Sequence, residues 1–142
     1  LQHAHGRAPV YSYEFARAHS YAPGVRFSDL DPATAGAYHT SEVPFWLGTL
    51  DAFNRFRATR SWTAADQAMS QSVLRALVAF ARSGNPAAAG LHWPRFTPAK
   101  PMLVDLGQPA RAAPWPDARK FAFFAEVGAL PPPPPPPPPA RD

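Results

Sequence analysis

Histidine is the side chain whose charge changes closest to neutral pH, and the sequence holds five: His3, His5, His19, His39 and His92. His3 and His5 lie in a polar leading stretch, where a metal site would need further ligands converging on them. No other pair has ligand spacing. There is also no cysteine to complete a zinc or iron–sulfur site, to act as a thiolate nucleophile or to form a disulfide. His19 reads as a loop residue, and His92, beside Trp93, as a packing residue. His39 stands apart by its surroundings, Gly36-Ala37-Tyr38-His39-Thr40-Ser41-Glu42-Val43-Pro44-Phe45: small residues upstream, an acid three positions on, then a wall of apolar side chains. A ring placed there can be held by packing and still be reached, as a general base must be, although a structural role suits the same surroundings. Ser41 lies two positions away but lacks the flanking glycines of a strand-to-helix nucleophile elbow, as does every other serine in the chain.

The elements that would position His39 follow from periodicity. In Val10-Tyr11-Ser12-Tyr13-Glu14-Phe15-Ala16, Tyr11, Tyr13 and Phe15 alternate with smaller or charged residues, which predicts a strand with one aromatic face. Arg17 to Thr40, broken by Pro23-Gly24, Asp31-Pro32 and Gly36, reads as a long connection of the kind that usually serves a function. Glu42 to Phe56 is dense in apolar residues and reads as a short helical turn or an irregular packed segment. A helix is predicted from about Ala64 to Arg82, capped by Thr63 with Asp66 as its capping-box partner and stopped by Gly84-Asn85-Pro86. Its apolar stripe is Met69, Val73, Leu77 and Phe80, with Ala76 alongside. Pro101 to Gly107 reads as a short edge strand, and Asp117 to Val127 as a last helix with Phe121, Phe124 and Val127 on its buried face.

Composition narrows the function classes. The chain has 142 residues, 46% hydrophobic and only 17% charged, with a net charge of +4 that is scattered rather than grouped. Arg55, Arg57 and Arg60 alternate with Phe53, Phe56 and Trp62, but without a wider basic field they do not make a nucleic-acid surface. No stretch approaches the ~20 apolar residues of a membrane span. Of the 20 prolines, nine form the run Pro131 to Pro139, which predicts an exposed polyproline rod about 28 Å long at ~3.1 Å per residue. Such a rod could dock an aromatic groove, although it lacks the flanking basic residues that give such ligands direction. One good strand, one short strand and two helices do not enclose a two-layer core, so the inventory reads as the end of something larger.

The segment Gly36 to Gly48 resembles the histidine motif of the type-B carboxylesterases, the family that includes cholinesterases and several lipases. The resemblance continues in order. Val10 to Phe15 is similar to the family's Val-Tyr-x-Tyr-x-Phe strand, and Phe80 to Pro86 to its helix-ending signature. Trp93-Pro94-x-Phe96 is similar to its Trp-Pro-x-Tyr element, Met102 to Leu106 to its last short strand, and Lys120 to Phe124 to its terminal helix. It covers residues 9–127, leaving 1–8 as an expected disordered end and 128–142 as a low-complexity polyproline tail. The resemblance implies an α/β class: the C-terminal part of an α/β-hydrolase fold, an incomplete sheet with packing helices. It further implies ester hydrolysis by a Ser-His-Glu triad in which His39 is the catalytic histidine and Glu42 supports its loop, with Phe45 and Trp46 lining the pocket or packing in the core. The serine, the triad acid and the oxyanion loop would belong to the missing N-terminal part of the same fold, so the segment alone is expected to be inactive. The implied partner is a small-molecule ester, with no cofactor and no metal. A relative that kept the fold and lost the chemistry, serving in adhesion, is the alternative.

Overall fold

The computed structural model describes residues 8–87, 91–116, 119–120 and 122–123. Along these the elements are strand β1 (Tyr13–Glu14), helix α1 (Val43–Leu47), a 3₁₀ turn (Leu50–Asn54), helix α2 (Ala64–Ser83) and strands β2 (Met102–Asp105) and β3 (Arg111–Pro114). The sheet order is β1-β2-β3. β1 and β2 are parallel, with Tyr13 opposite Val104 and Glu14 opposite Asp105. β2 and β3 are antiparallel, with Met102 opposite Pro114 and Asp105 opposite Arg111. A parallel pair needs a crossover, and both helices lie within it.

Two expectations change. The predicted strand over Val10 to Ala16 shortens to Tyr13–Glu14, with Val10 held only by an isolated bridge to Phe96. Its aromatic face is nevertheless real: Tyr11 packs on Phe80, Tyr13 on Trp46 and Trp93, and Phe15 on Phe45. The strand at 101–107 is not an edge but the middle of the sheet, because Arg111–Pro114 pairs with it. The Arg-Ala-Ala-Pro sequence of β3 carries no β-branched or aromatic residue to announce a strand. On α2, Met69, Val73 and Ala76 are buried within the chain itself, whereas Leu77 and Phe80 remain 38% and 46% exposed at the far end of the stripe.

The core gathers Phe45, Leu50, Met69, Val73, Ala76, Leu91, Trp93, Val104 and Leu106 between α1, α2 and β2. Of the expected last helix, Arg119, Lys120, Ala122 and Phe123 are helical. Phe121, Phe124 and Val127 lie outside the described residues, as do residues 1–7 and the proline run.

The capping box forms as its spacing requires. Thr63 accepts from the Asp66 amide, and Asp66 accepts from the Thr63 amide at 2.8 Å. The same carboxylate reaches much further than a cap. It is fully buried, receives Arg17 Nε at 2.6 Å and accepts from the Ser20 hydroxyl at 2.7 Å. Burial pushes its pKa up, but the bonds from Ser20, Thr63 and Arg17 outweigh that and hold it below the ordinary carboxylate value. Arg17 also reaches the Gly107 carbonyl beyond β2. One ion pair therefore fastens the chain leaving β1, the start of α2 and the end of β2.

Removing one partner of such a pair leaves a charge stranded in the interior. Asp66→Ala is expected to lower the unfolding free energy by about 3–5 kcal/mol, seen as a lower urea midpoint at an unchanged m-value. A loss below about 1 kcal/mol would place it among exposed pairs that contribute little.

Candidate functional site

His39 sits at the tip of a tight turn running from Tyr38 to Ser41. The Ser41 amide donates to the Tyr38 carbonyl at 3.0 Å, and the Tyr38 amide donates back to the Ser41 hydroxyl oxygen at 3.1 Å. Thr40 has φ +69°, the left-handed value demanded at the third position of a type II turn and normally met by glycine. A β-branched residue there stores backbone strain. His39 and Thr40 face solvent, whereas Ser41 is fully buried.

The turn runs directly into α1. Glu42 is the N-cap residue, its carbonyl accepting from the Phe45 and Trp46 amides, and Pro44 occupies the first helical turn, where a missing amide proton leaves nothing unsatisfied. Phe45 is driven into the core at 0% exposure, and its carbonyl accepts from the Ser70 hydroxyl of α2 at 3.0 Å. Gly48 ends the helix in the left-handed region, and a Cβ there would press on Leu74 at 3.2 Å. The base of the His39 turn is thus bolted to α2.

Behind the turn lies His19, only 5% exposed. Its Nε2 lies 2.8 Å from the Ser41 carbonyl, which can only accept, so Nε2 carries the proton and Nδ1 is the acceptor. Arg60 Nε donates to that Nδ1 at 3.0 Å, and the Tyr38 hydroxyl lies 3.3 Å from it. Arg60 Nη2 also donates to the Tyr38 hydroxyl at 3.3 Å. The His19 ring is walled in by Tyr21, Tyr38, Phe45, Phe53 and Trp62. The Arg60 guanidinium lies over Tyr21, Phe27 and Phe53, at 4.2 Å from the Tyr21 ring centre. Arg60 is in turn placed by Asn54, whose amide oxygen accepts from the Thr59 and Arg60 amides while its nitrogen donates to the Arg60 carbonyl. Burial pushes the His19 pKa below the ordinary histidine value. The bond to Ser41 opposes this, the charge of Arg60 adds to it, and the charge of Asp66 opposes it.

The residues singled out from sequence are thus distributed unevenly. His39 is exposed, and among the described residues no side chain hydrogen-bonds to its ring. Glu42 is half-buried and its carboxylate influences Tyr13, whose phenol is pushed up first by burial and then by that charge. Trp46 lines an apolar groove of about 400 Å³ together with Tyr11, Tyr13, Leu77, Phe80 and Trp93, whereas Phe45 belongs to the core. His92 is exposed. Among the described residues no cluster of three His, Cys, Asp or Glu could hold a metal, and no helix is long and apolar enough to cross a membrane. Arg60 is buried whereas Arg55 and Arg57 are exposed, so the three arginines do not form one exposed basic surface. Sequence reading missed His19, Tyr38 and Arg60 as a unit. The available signal was the density of aromatics around Arg60.

A family model described as the carboxylesterase family matches residues 1–124. The human protein named cocaine esterase is 34% identical over 114 residues, covering 78% of this chain and 19% of that protein. Rat acylcarnitine hydrolase is 38% identical over 98 residues, covering 66% of this chain and 16% of its own length. A solved thermophilic PNB esterase superposes with a TM-score of 0.62 at 25% identity, covering 81% of this chain and 22% of that one. The chain therefore spans about a fifth of the length of the proteins it resembles.

Two outcomes follow from the turn. A left-handed threonine costs about 1–2 kcal/mol and glycine about 0.5–1 kcal/mol in chain entropy, so Thr40→Gly is expected to raise stability by about 0.5 kcal/mol in urea unfolding. His19, with its pKa depressed in the folded state, binds fewer protons folded than unfolded between the two values, so stability rises with pH there. Its contribution is complete above the ordinary histidine value of about 6.5 and is lost as pH falls through the folded value. The urea midpoint is expected to fall between about pH 7 and pH 5, and His19→Gln to flatten that fall.

Proposed function

The chain belongs to the carboxylesterase family and carries part of an α/β-hydrolase fold, and on that premise we propose that it is the C-terminal segment of a longer serine esterase to which it contributes the general base, His39. The observation that carries the reading is the placement of His39: a reachable imidazole on a turn whose base is buried and bonded on every side. A general base needs both properties, because it must touch the reacting hydroxyl and must not wander from it.

The remainder of the fold would supply a serine, the triad acid and the oxyanion donors. In the acylation half, the imidazole takes the serine hydroxyl proton as the oxygen adds to the ester carbonyl. It then gives that proton to the departing alkoxide, which leaves as the alcohol. In the second half it takes a proton from water, whose oxygen adds to the acyl carbon, and returns it to the serine as the carboxylic acid departs. Glu42 supports the loop from the N-cap position of α1, where its backbone carbonyl accepts the first helical bonds. The apolar groove beside Trp46 offers one wall for the acyl or alcohol part of the ester. The reaction as written uses no cofactor.

The test is made on the complete polypeptide that contains these residues, with a chromogenic p-nitrophenyl ester. His39→Ala is expected to lower kcat by ~10⁴-fold or more while leaving the urea midpoint unchanged. Undiminished turnover in that variant, or a complete wild-type polypeptide that hydrolyses no ester, would overturn the reading; the second outcome would favour a non-catalytic relative.

A further inference from the structure

We propose that His19 is the positioning residue of the His39 turn: its ring bridges the Ser41 carbonyl to the Arg60 guanidinium, and this bridge fixes where His39 is presented. The inference rests on the reading of His39 as general base and adds a residue to it. Three observations support it. The His39 ring is exposed and makes no side-chain hydrogen bond among the described residues, so within this segment its place is set by the backbone that carries it. That backbone is strained at Thr40, φ +69°, and would relax unless held from behind. The hold from behind is His19, bonded to Ser41 at 2.8 Å, with Tyr38 and Arg60 meeting its other nitrogen.

The chemistry asks for more than a space-filling ring. His19 uses one nitrogen as donor and the other as acceptor, in directions fixed by five surrounding aromatic rings. A leucine would fill the space and leave the Ser41 carbonyl and the Arg60 Nε–H unpaired. A glutamine keeps one donor and one acceptor on a chain of comparable reach.

The experiment uses the complete polypeptide and a p-nitrophenyl ester, comparing His19→Leu, His19→Gln, Tyr38→Phe, His39→Ala and the core control Val73→Ala. Displacing a general base by a fraction of an ångström to an ångström is worth up to about 100-fold. The expected result is kcat lowered about 10- to 100-fold in His19→Leu at a KM within about 2-fold of wild type, with most of the loss restored in His19→Gln. Val73→Ala, which loosens the core elsewhere, is expected to lose stability and keep kcat, separating positioning from general destabilisation. Folded His19→Leu with wild-type kcat, or with a raised KM alone, would overturn the proposal. If His19→Leu does not fold, Tyr38→Phe decides: a lowered kcat supports the bridge and an unchanged one overturns it. Should His39→Ala retain turnover, the reading of His39 fails first, whatever the His19 variants do.

Discussion

Asp66 is the constraint from which the rest of the arrangement follows. A carboxylate removed from water survives only if donors surround it, and here Arg17, Ser20 and Thr63 all turn inward to serve it. Those donors come from two distant stretches of chain, one leaving β1 and one entering α2, so satisfying a single charge dictates where the two meet. Once Arg17 and Ser20 are fixed, His19 between them has little freedom. It enters the aromatic enclosure that Phe45, Phe53 and Trp62 close from the other side. Helix cap, ion pair and histidine enclosure are successive consequences of burying one group.

From there the order reaches the surface through side chains that grip backbone groups of the turn. His19 holds Ser41, Ser41 holds Tyr38, and the exposed residues between them ride on a base that is almost wholly interior. Phe45, five residues after Thr40, anchors the same turn to α2 through its ring and its carbonyl. A long irregular connection can therefore end in a well-defined place. Arg17 to Thr40 has hardly any regular structure, yet both of its ends are tied to the core.

What the sequence revealed divides along the range of the interactions involved. α2 was legible in full, from the Thr63–Asp66 cap to Gly84, because every signal for it lies within the helix and its flanks. β1 was legible as an aromatic face but not in extent, since its length depends on a partner about ninety residues away. The central place of β2 was hidden because its neighbour Arg111–Pro114 has no strand character of its own and pairs only in context. His39 could be singled out from its surroundings, and a role for it came from family resemblance. His19 read as a loop residue because its partners, Ser41 and Arg60, are remote in sequence, and a buried polar group satisfied at long range leaves no periodic trace.

The parallel register of β1 and β2 also bears on the order in which the chain assembles. α2 is built from local bonds and carries its own start and stop signals, so it can form on the microsecond scale of helix–coil exchange. Pairing Tyr13 with Val104 must first close a loop containing both helices, and that entropy is lost before any strand bond returns it. During synthesis the β1 segment therefore waits, its aromatic face available to α1 and α2 long before β2 has emerged. Ring packing on α1 and α2 is thus open to the β1 segment before hydrogen bonding to β2 is.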